Sequence, residues 1–291
     1  MSLWKQITRL VKDPPPDQIF ELSEAGIAYA LNGEIGFQNF EPGVLTVSPV
    51  ADNLLRPDAV VAALARVAPP NGARRRPAAV ILPDYAARIS LLDFDSFPSS
   101  PEEQLPLVRF RVKKTIPFDI DSAAVSYWAQ PASAKAGSKK VEVVAVTISH
   151  EILARYEAIF RAANFHPGDV TTSGLAALNL HSAGGIAVIA KLTGSVLSVM
   201  AVEDGLLKLF RCLTIEEGGI NQVKDEEILA VLNPTFAYIE DELGRKPEKL
   251  LLCGFARPLE GLHMEMEPLR SRLGTPNAYN AGLLGYLEAA G

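Results

Sequence analysis

The stretch GIAVIAKLTGSVLSVMAVEDGLLKLFRCLTI, residues 185–215, decides the fold. Apolar residues fall there in three runs, Gly185 to Lys191, Val196 to Val202 and Leu206 to Ile215, and Asp204-Gly205 joins the last two. An Asp-Gly pair between apolar runs favours a tight hairpin, because both central residues of such a turn take positive φ. The reading is an antiparallel three-strand meander. The same design stands earlier, in QIFELSEAGIAYALNGEIGFQNFE at residues 18–41. Gln18 to Ser23, Gly26 to Asn32 and Ile35 to Glu41 alternate at period two, with Asn32-Gly33 as a hairpin signal. Each meander leads on to a helical run, so the chain reads as two halves of one plan, an internal duplication. Neither meander carries the glycine-rich, acidic turn that a phosphate needs, which points away from catalysis and toward a docking surface.

Between the meanders, Pro57 stands where a first helical turn accepts it, and Val60, Val61, Leu64 and Val67 follow at helical spacing until Pro69-Pro70. Arg74, Arg75 and Arg76 read as a solvated loop. Ala78 to Leu82 is a buried-type strand, Ala86 to Phe94 alternates, and Ser100-Pro101-Glu102-Glu103 is a capping box opening a helix that Pro106 kinks or splits. Strands at Ala123 to Ala129 and Val141 to Ile148 flank an Ala, Ser, Gly and Lys-rich loop at Pro131 to Lys140, giving a small α+β subdomain. His150 to Asn164 is an amphipathic helix. After the second meander come a helix at Asp225 to Leu243 closed by Gly244, a strand at Lys249 to Cys253, a Gly254-Phe255-Ala256 turn and a helix at Ala278 to Ala289. The division is an N-terminal segment at 1–16, a first lobe at 17–77 and 150–183, an insert at 78–149 and a second lobe at 184–291.

The 291 residues are 48% hydrophobic and 21% charged, which is globular composition, and the net charge of −6 opposes nucleic acid as a partner. Cys212 and Cys253 lie in apolar runs and read as buried thiols of a cytosolic protein. His150, His166, His181 and His263 lack zinc or triad spacing, so no metal is expected. No apolar run nears the ~20 residues that cross a bilayer. At the start, Leu3, Trp4, Ile7, Leu10 and Val11 share one helical face, with Lys5, Arg9 and Lys12 on the other, until Pro14. Residues 3–12 are either a strap on their own domain or a basic foot in peripheral contact with acidic lipid or a membrane partner.

Four sets of residues then resemble a family: Ile81-Leu82-Pro83-Asp84; Val112-Lys113-Lys114-Thr115-Ile116-Pro117-Phe118-Asp119; His150-Glu151-Ile152 through Phe165 with Ser173-Gly174-Leu175-Ala176-Ala177-Leu178; and Val202-Glu203-Asp204-Gly205. Their order is similar to that of the PilM family of type IV pilus assembly proteins, from about residue 17 onward. That family belongs to the actin-like ATPase superfamily, beside FtsA and the cytoplasmic part of the secretion protein GspL. The resemblance implies an α/β class with mixed sheets: a two-lobed actin-like, ribonuclease H-like fold with an inserted α+β subdomain. It also implies an interlobe nucleotide site. At its first turn Glu21 keeps a carboxylate, Ser23 replaces a glycine, and Ala28 falls where a lysine is common. At the second, Lys191-Leu192-Thr193-Gly194 lies on an Asp-x-Gly turn and reverses the charge, and Gly254-Phe255 stands for a glycine pair. The site reads as degenerate, with no cofactor expected and ATP with magnesium as the alternative. The link between Ile215 and Asp225 is short beside the family pattern, which leaves the adenine side open.

What the resemblance implies for function is a cytoplasmic scaffold at the inner face of the cytoplasmic membrane, in a pilus or type II secretion platform. It would bind the cytoplasmic tail of a PilN-like membrane protein in a groove between first lobe and insert, and contact the motor ATPase and platform protein. Arg109, Arg111, Ile116 and Phe118 are expected to edge that groove; the alternative is that Leu107, Val108, Phe110 and Val112 pack on their own sheet while the arginines are solvated. The alternative is an active ATP-binding protein or a small-metabolite kinase, for which Asp169 and Asp204 are the acid-base candidates; both read more simply as turn residues.

Overall fold

The first meander opens the described chain as β1 (Gln18–Ser23), β2 (Gly26–Leu31) and β3 (Glu34–Asn39). This computed structural model describes residues 16–70, 72, 74–131, 140–182, 184–215 and 224–290. The N-terminal segment at 3–12, most of the Pro131 to Lys140 loop and most of the link from Ile215 to Asp225 lie outside the described residues. Helix α1 (Pro57–Val67) leads to β4 (Arg76–Leu82), which pairs parallel to β1. The chain then leaves the sheet for β5 (Arg88–Phe94), α2 (Pro101–Val112), β6 (Ala123–Ala129) and β7 (Val141–Ser149), a separate three-stranded antiparallel sheet ordered β5-β7-β6. Helix α3 (His150–Ala162) brings it back, and β8 (Phe165–Thr172) adds parallel to β4. The first sheet therefore runs β3-β2-β1-β4-β8.

The second half repeats this plan. After the short helix α4 (Ser173–Ala177) come β9 (Ile186–Thr193), β10 (Val196–Glu203), β11 (Leu206–Thr214), α5 (Asp225–Leu243), β12 (Lys249–Cys253) and β13 (Glu265–Pro268). Their sheet runs β11-β10-β9-β12-β13, the order of the first sheet strand for strand. Duplication and insertion are thus both present. Leu192, Leu197, Val199, Ile228 and Leu232 bury one core on the α5 side, while Ile189, Met200, Val202 and Leu207 face Ala177, Leu178 and Val144 of the other half. Burying both faces of the second sheet is why β9 and β10 read as nearly continuous apolar runs.

Seven details differ from the sequence reading. Strand β4, placed by that reading in the insert at 78–149, belongs to the first sheet between β1 and β8. Arg76, expected in a solvated loop, opens β4 and donates to the Ala68 carbonyl at 2.9 Å. Strand β8 contains Pro167 and Gly168, which read as a loop; as the sheet's edge it tolerates the missing N–H, and the register shifts beside Pro167. Strand β13, another edge, ends on Pro268. Helix α2 runs through Pro106 unbroken, since the carbonyl it frees, that of Glu102, belongs to an exposed first turn. Ser100 makes no side-chain cap; its hydroxyl turns to the Glu102 carboxylate, so the expected capping box is absent. The last helix, α6 (Ala281–Ala290), starts later than expected and packs on the first lobe, where Leu283 and Tyr286 join Ile19, Ala28 and Ile81. Gly285 permits that approach: a Cβ there would stand 2.1 Å from the carbonyl oxygen of Ala176.

Candidate functional site

Strands β1 and β9 hold the same place in their sheets, antiparallel to one neighbour and parallel to the other. Two residues before the hairpin turn, Glu21 pairs across to Ala28 in the first copy and Lys191 to Ser198 in the second. They are one position of the duplicated unit, carrying opposite charges. Each is only 2% exposed, and both face the seam between the lobes.

A third charge completes the seam. Asp84 follows Pro83 just past the C-terminal end of β4, the usual location of crevices in α/β sheets. Its Oδ1 accepts the Gly174 N–H at 2.5 Å and its Oδ2 accepts the Ser198 hydroxyl at 2.8 Å. The Lys191 Nζ lies 3.3 Å from the same Oδ2 and 2.8 Å from Thr193 Oγ1, whose hydroxyl donates to the Ala278 carbonyl at 2.9 Å. Glu21 accepts the Ser173 hydroxyl on one oxygen and the Leu283 N–H at 2.7 Å on the other. Burial pushes the Glu21 carboxyl up to about 7, against the pull of Lys191 and of these two donors. For Lys191, burial works downward, but Asp84 and Glu21 outweigh it and hold the ammonium above its ordinary value.

Ser23 closes its own hairpin by donating to the Gly26 carbonyl at 3.0 Å. Gly194 forms the opposing turn, with φ +58°, and a Cβ on it would meet Glu24 Oε2 at 3.0 Å. Gly254, with φ +80°, lies under the Leu192 carbonyl, 2.1 Å from where its Cβ would be, and against Ala278. Glu21, Ser23, Lys191 and Thr193 thus line one seam, with Gly194 and Gly254 closing on it by backbone, and what they meet is the protein itself. The room left among them is about 20 Å³, against the roughly 300–1,000 Å³ of small-molecule pockets. A buried lysine already paired with Asp84, a Glu24 carboxylate at the facing turn and so little room do not fit a magnesium-bound triphosphate.

Sequence reasoning missed Asp84 as a site residue, together with Ser173 and Ser198. Each was visible only as part of a run, since their partners lie 90 to 152 residues away. Asp169 sits on β8 and accepts the Tyr286 hydroxyl at 2.7 Å, while Asp204 takes its hairpin turn and accepts the Gly185 N–H at 2.9 Å. Neither lines the seam.

A second concavity lies between the first lobe and the insert, with about 360 Å³ of space. Its walls are two edge strands, β6 through Ala124, Ser126 and Trp128 and β8 through Asp169 to Thr172, with Leu175 and Leu178 beneath. Trp128 Nε1 and Thr172 Oγ1 are buried there with no hydrogen-bond partner among the described residues. The expected groove residues lie elsewhere. Arg109 donates to the Ile120 carbonyl at 2.6 Å and the Ala123 carbonyl at 3.3 Å, and Arg111 donates to the Asp93 carbonyl at 3.2 Å and stacks 5.1 Å above Phe94. Ile116 and Phe118 pack on the insert's own core with Val108 and Val112, whereas Phe110, expected to pack with them, is 69% exposed.

Burial pushes both thiols, Cys212 and Cys253, up to about 12. Among the described residues no cluster of His, Cys, Asp or Glu is placed to hold a metal, and no helix is long and apolar enough to cross a membrane.

No protein-family model matches the chain, and no curated protein matches it. Solved structures do. A chain of a PilM-PilN type IV pilus biogenesis complex superposes with TM-score 0.68 at 15% identity, over 96% of this chain and 100% of that one. The cytoplasmic domain of EpsL, an inner membrane component of the type II secretion system of Vibrio cholerae, follows with TM-score 0.54 at 13% identity, over 94% and 93%. At such identities the likeness is one of architecture, and the duplicated sheets with their insert place this chain in the actin-like fold.

Proposed function

We propose that this chain is a non-catalytic scaffold of a type IV pilus or type II secretion platform, seating the cytoplasmic tail of a PilN-like membrane protein between first lobe and insert. The groove carries this reading: about 360 Å³, mainly apolar, bounded by the edge strands β6 and β8. Edge strands offer unpaired backbone groups to an extended peptide, and apolar walls supply pockets for alternate side chains. The architecture shared with PilM, which the solved complex pairs with PilN, supports the choice of partner. On this reading the protein works at the inner face of the cytoplasmic membrane, with the motor ATPase and platform protein as further contacts.

The test is fluorescence anisotropy with a labelled peptide of the tail encoded by the neighbouring gene. Ser126→Arg and Val170→Arg, which block the two walls, are expected to weaken binding more than tenfold, while Arg109→Glu with Arg111→Glu leaves it unchanged. A wild-type chain that ignores the peptide, or blocked grooves that bind as wild type does, would discard the proposal.

A further inference from the structure

The seam places a protein charge where the resemblance to the PilM family implies a nucleotide's. We infer that Lys191 is a tethered counter-ion that fixes the lobes in one closed arrangement, taking the place of a nucleotide and its cation.

The network crosses between the lobes at Asp84, whose Oδ2 takes both Lys191 and Ser198. Lys191, Thr193 and Ser198 come from β9 and β10, whereas Asp84, Glu21 and Ser173 come from the first lobe. Its polar atoms satisfy one another: Asp84 takes a backbone N–H, a hydroxyl and the ammonium, and Glu21 takes a hydroxyl and a backbone N–H. Side chains of Lys191 and Asp84 are 3% and 1% exposed, so neither water nor salt screens the pair. Separating the lobes would break both the ion pair and the hydrogen bond that meet at Asp84 Oδ2.

A second tie makes hinge motion harder still. The Gln130 side-chain amide donates to the Leu207 carbonyl at 2.8 Å and accepts the Leu207 N–H at 2.8 Å, as a paired strand would. Beside it Lys208 meets Glu142 at 2.6 Å, and Val144 of the insert shares a buried core with Met200, Val202 and Leu207. Insert and second lobe are therefore joined apart from the seam. Ligand-driven closure requires an open state that the ligand-free protein visits. Here the residue that closes the seam never leaves the chain.

Interlobe distance tests this. Nitroxide labels on Ala62→Cys in α1 and Ala237→Cys in α5, both exposed positions, report it by double electron–electron resonance, with Cys253 buried and Cys212 half-buried away from the reagent. The wild-type background should give one narrow distance, unmoved by millimolar magnesium-ATP, and Lys191→Met should lose the single narrow peak. A wild-type distribution that is broad, or that shifts with magnesium-ATP, overturns the inference, as does a Lys191→Met background as narrow as wild type. Should that variant fail to fold, the wild-type measurement with and without nucleotide still decides.

Discussion

The two hairpins β1–β2 and β9–β10 are one element written twice, yet the first presents Glu21 at the seam and the second Lys191. Their surroundings differ accordingly. Glu21 has donors from Ser173 and the Leu283 backbone and can carry its own proton, whereas the Lys191 ammonium depends on the Asp84 carboxylate. Duplication thus supplies two facing positions without dictating what faces across them. When one becomes basic, an interface that could hold a ligand's charges can close on its own.

Lys191→Met is the strongest way to break this asymmetry. It leaves Asp84 buried without its cation and should cost ~3–5 kcal/mol, read as a lower urea midpoint, with Asp84→Leu in the same chain recovering much of the loss. Glu21→Gln at neutral pH should cost far less.

Titration sharpens the comparison next. With the Glu21 carboxyl raised from 4.5 to about 7, the folded chain keeps a proton between those values that the unfolded chain has released. Stability should therefore fall as pH rises through that window, by on the order of 3 kcal/mol, and level off above it. Denaturation at a series of pH values should show this slope, and Glu21→Gln should flatten it while Lys191 and Asp84 stay in place.

The helix behind the first hairpin comes third. Gly285→Ala sets a methyl against the Ala176 carbonyl and should destabilise by about 1–3 kcal/mol through overpacking, seen in the melting temperature. The smallest effect is expected at the surface: Arg245→Ala, which removes a half-exposed pair with Glu248, should stay within ~0.5 kcal/mol. A larger change there would mean that charge pairing as such, rather than its burial, distinguishes the seam.

The meanders were legible because alternation and the Asn32-Gly33 and Asp204-Gly205 turns are local signals; Asn32 and Asp204 do adopt positive φ. Strand β8 was not, since Pro167 and Gly168 punctuate it and only its edge position excuses them. Glu21 and Lys191 could be placed by resemblance to a family, but Asp84, which binds them into a network, could not. Its partners are a backbone N–H at Gly174, a lysine and a serine from another sheet, and no local pattern marks such a set. A partner groove was expected between first lobe and insert, edged by the charged face of α2. That helix turns Arg109 and Arg111 onto the insert's own carbonyls, and the space opens instead beside the edges of β6 and β8.

Helix α6 gives the seam a place in the order of synthesis. The backbone donor to Glu21 is Leu283, 262 residues further along and in α6. A ribosome has released the whole first hairpin long before that donor emerges, so a nascent chain holds Glu21 without it until α6 has been made. Completion of the clasp therefore waits on a donor made 262 residues after the carboxylate that it serves.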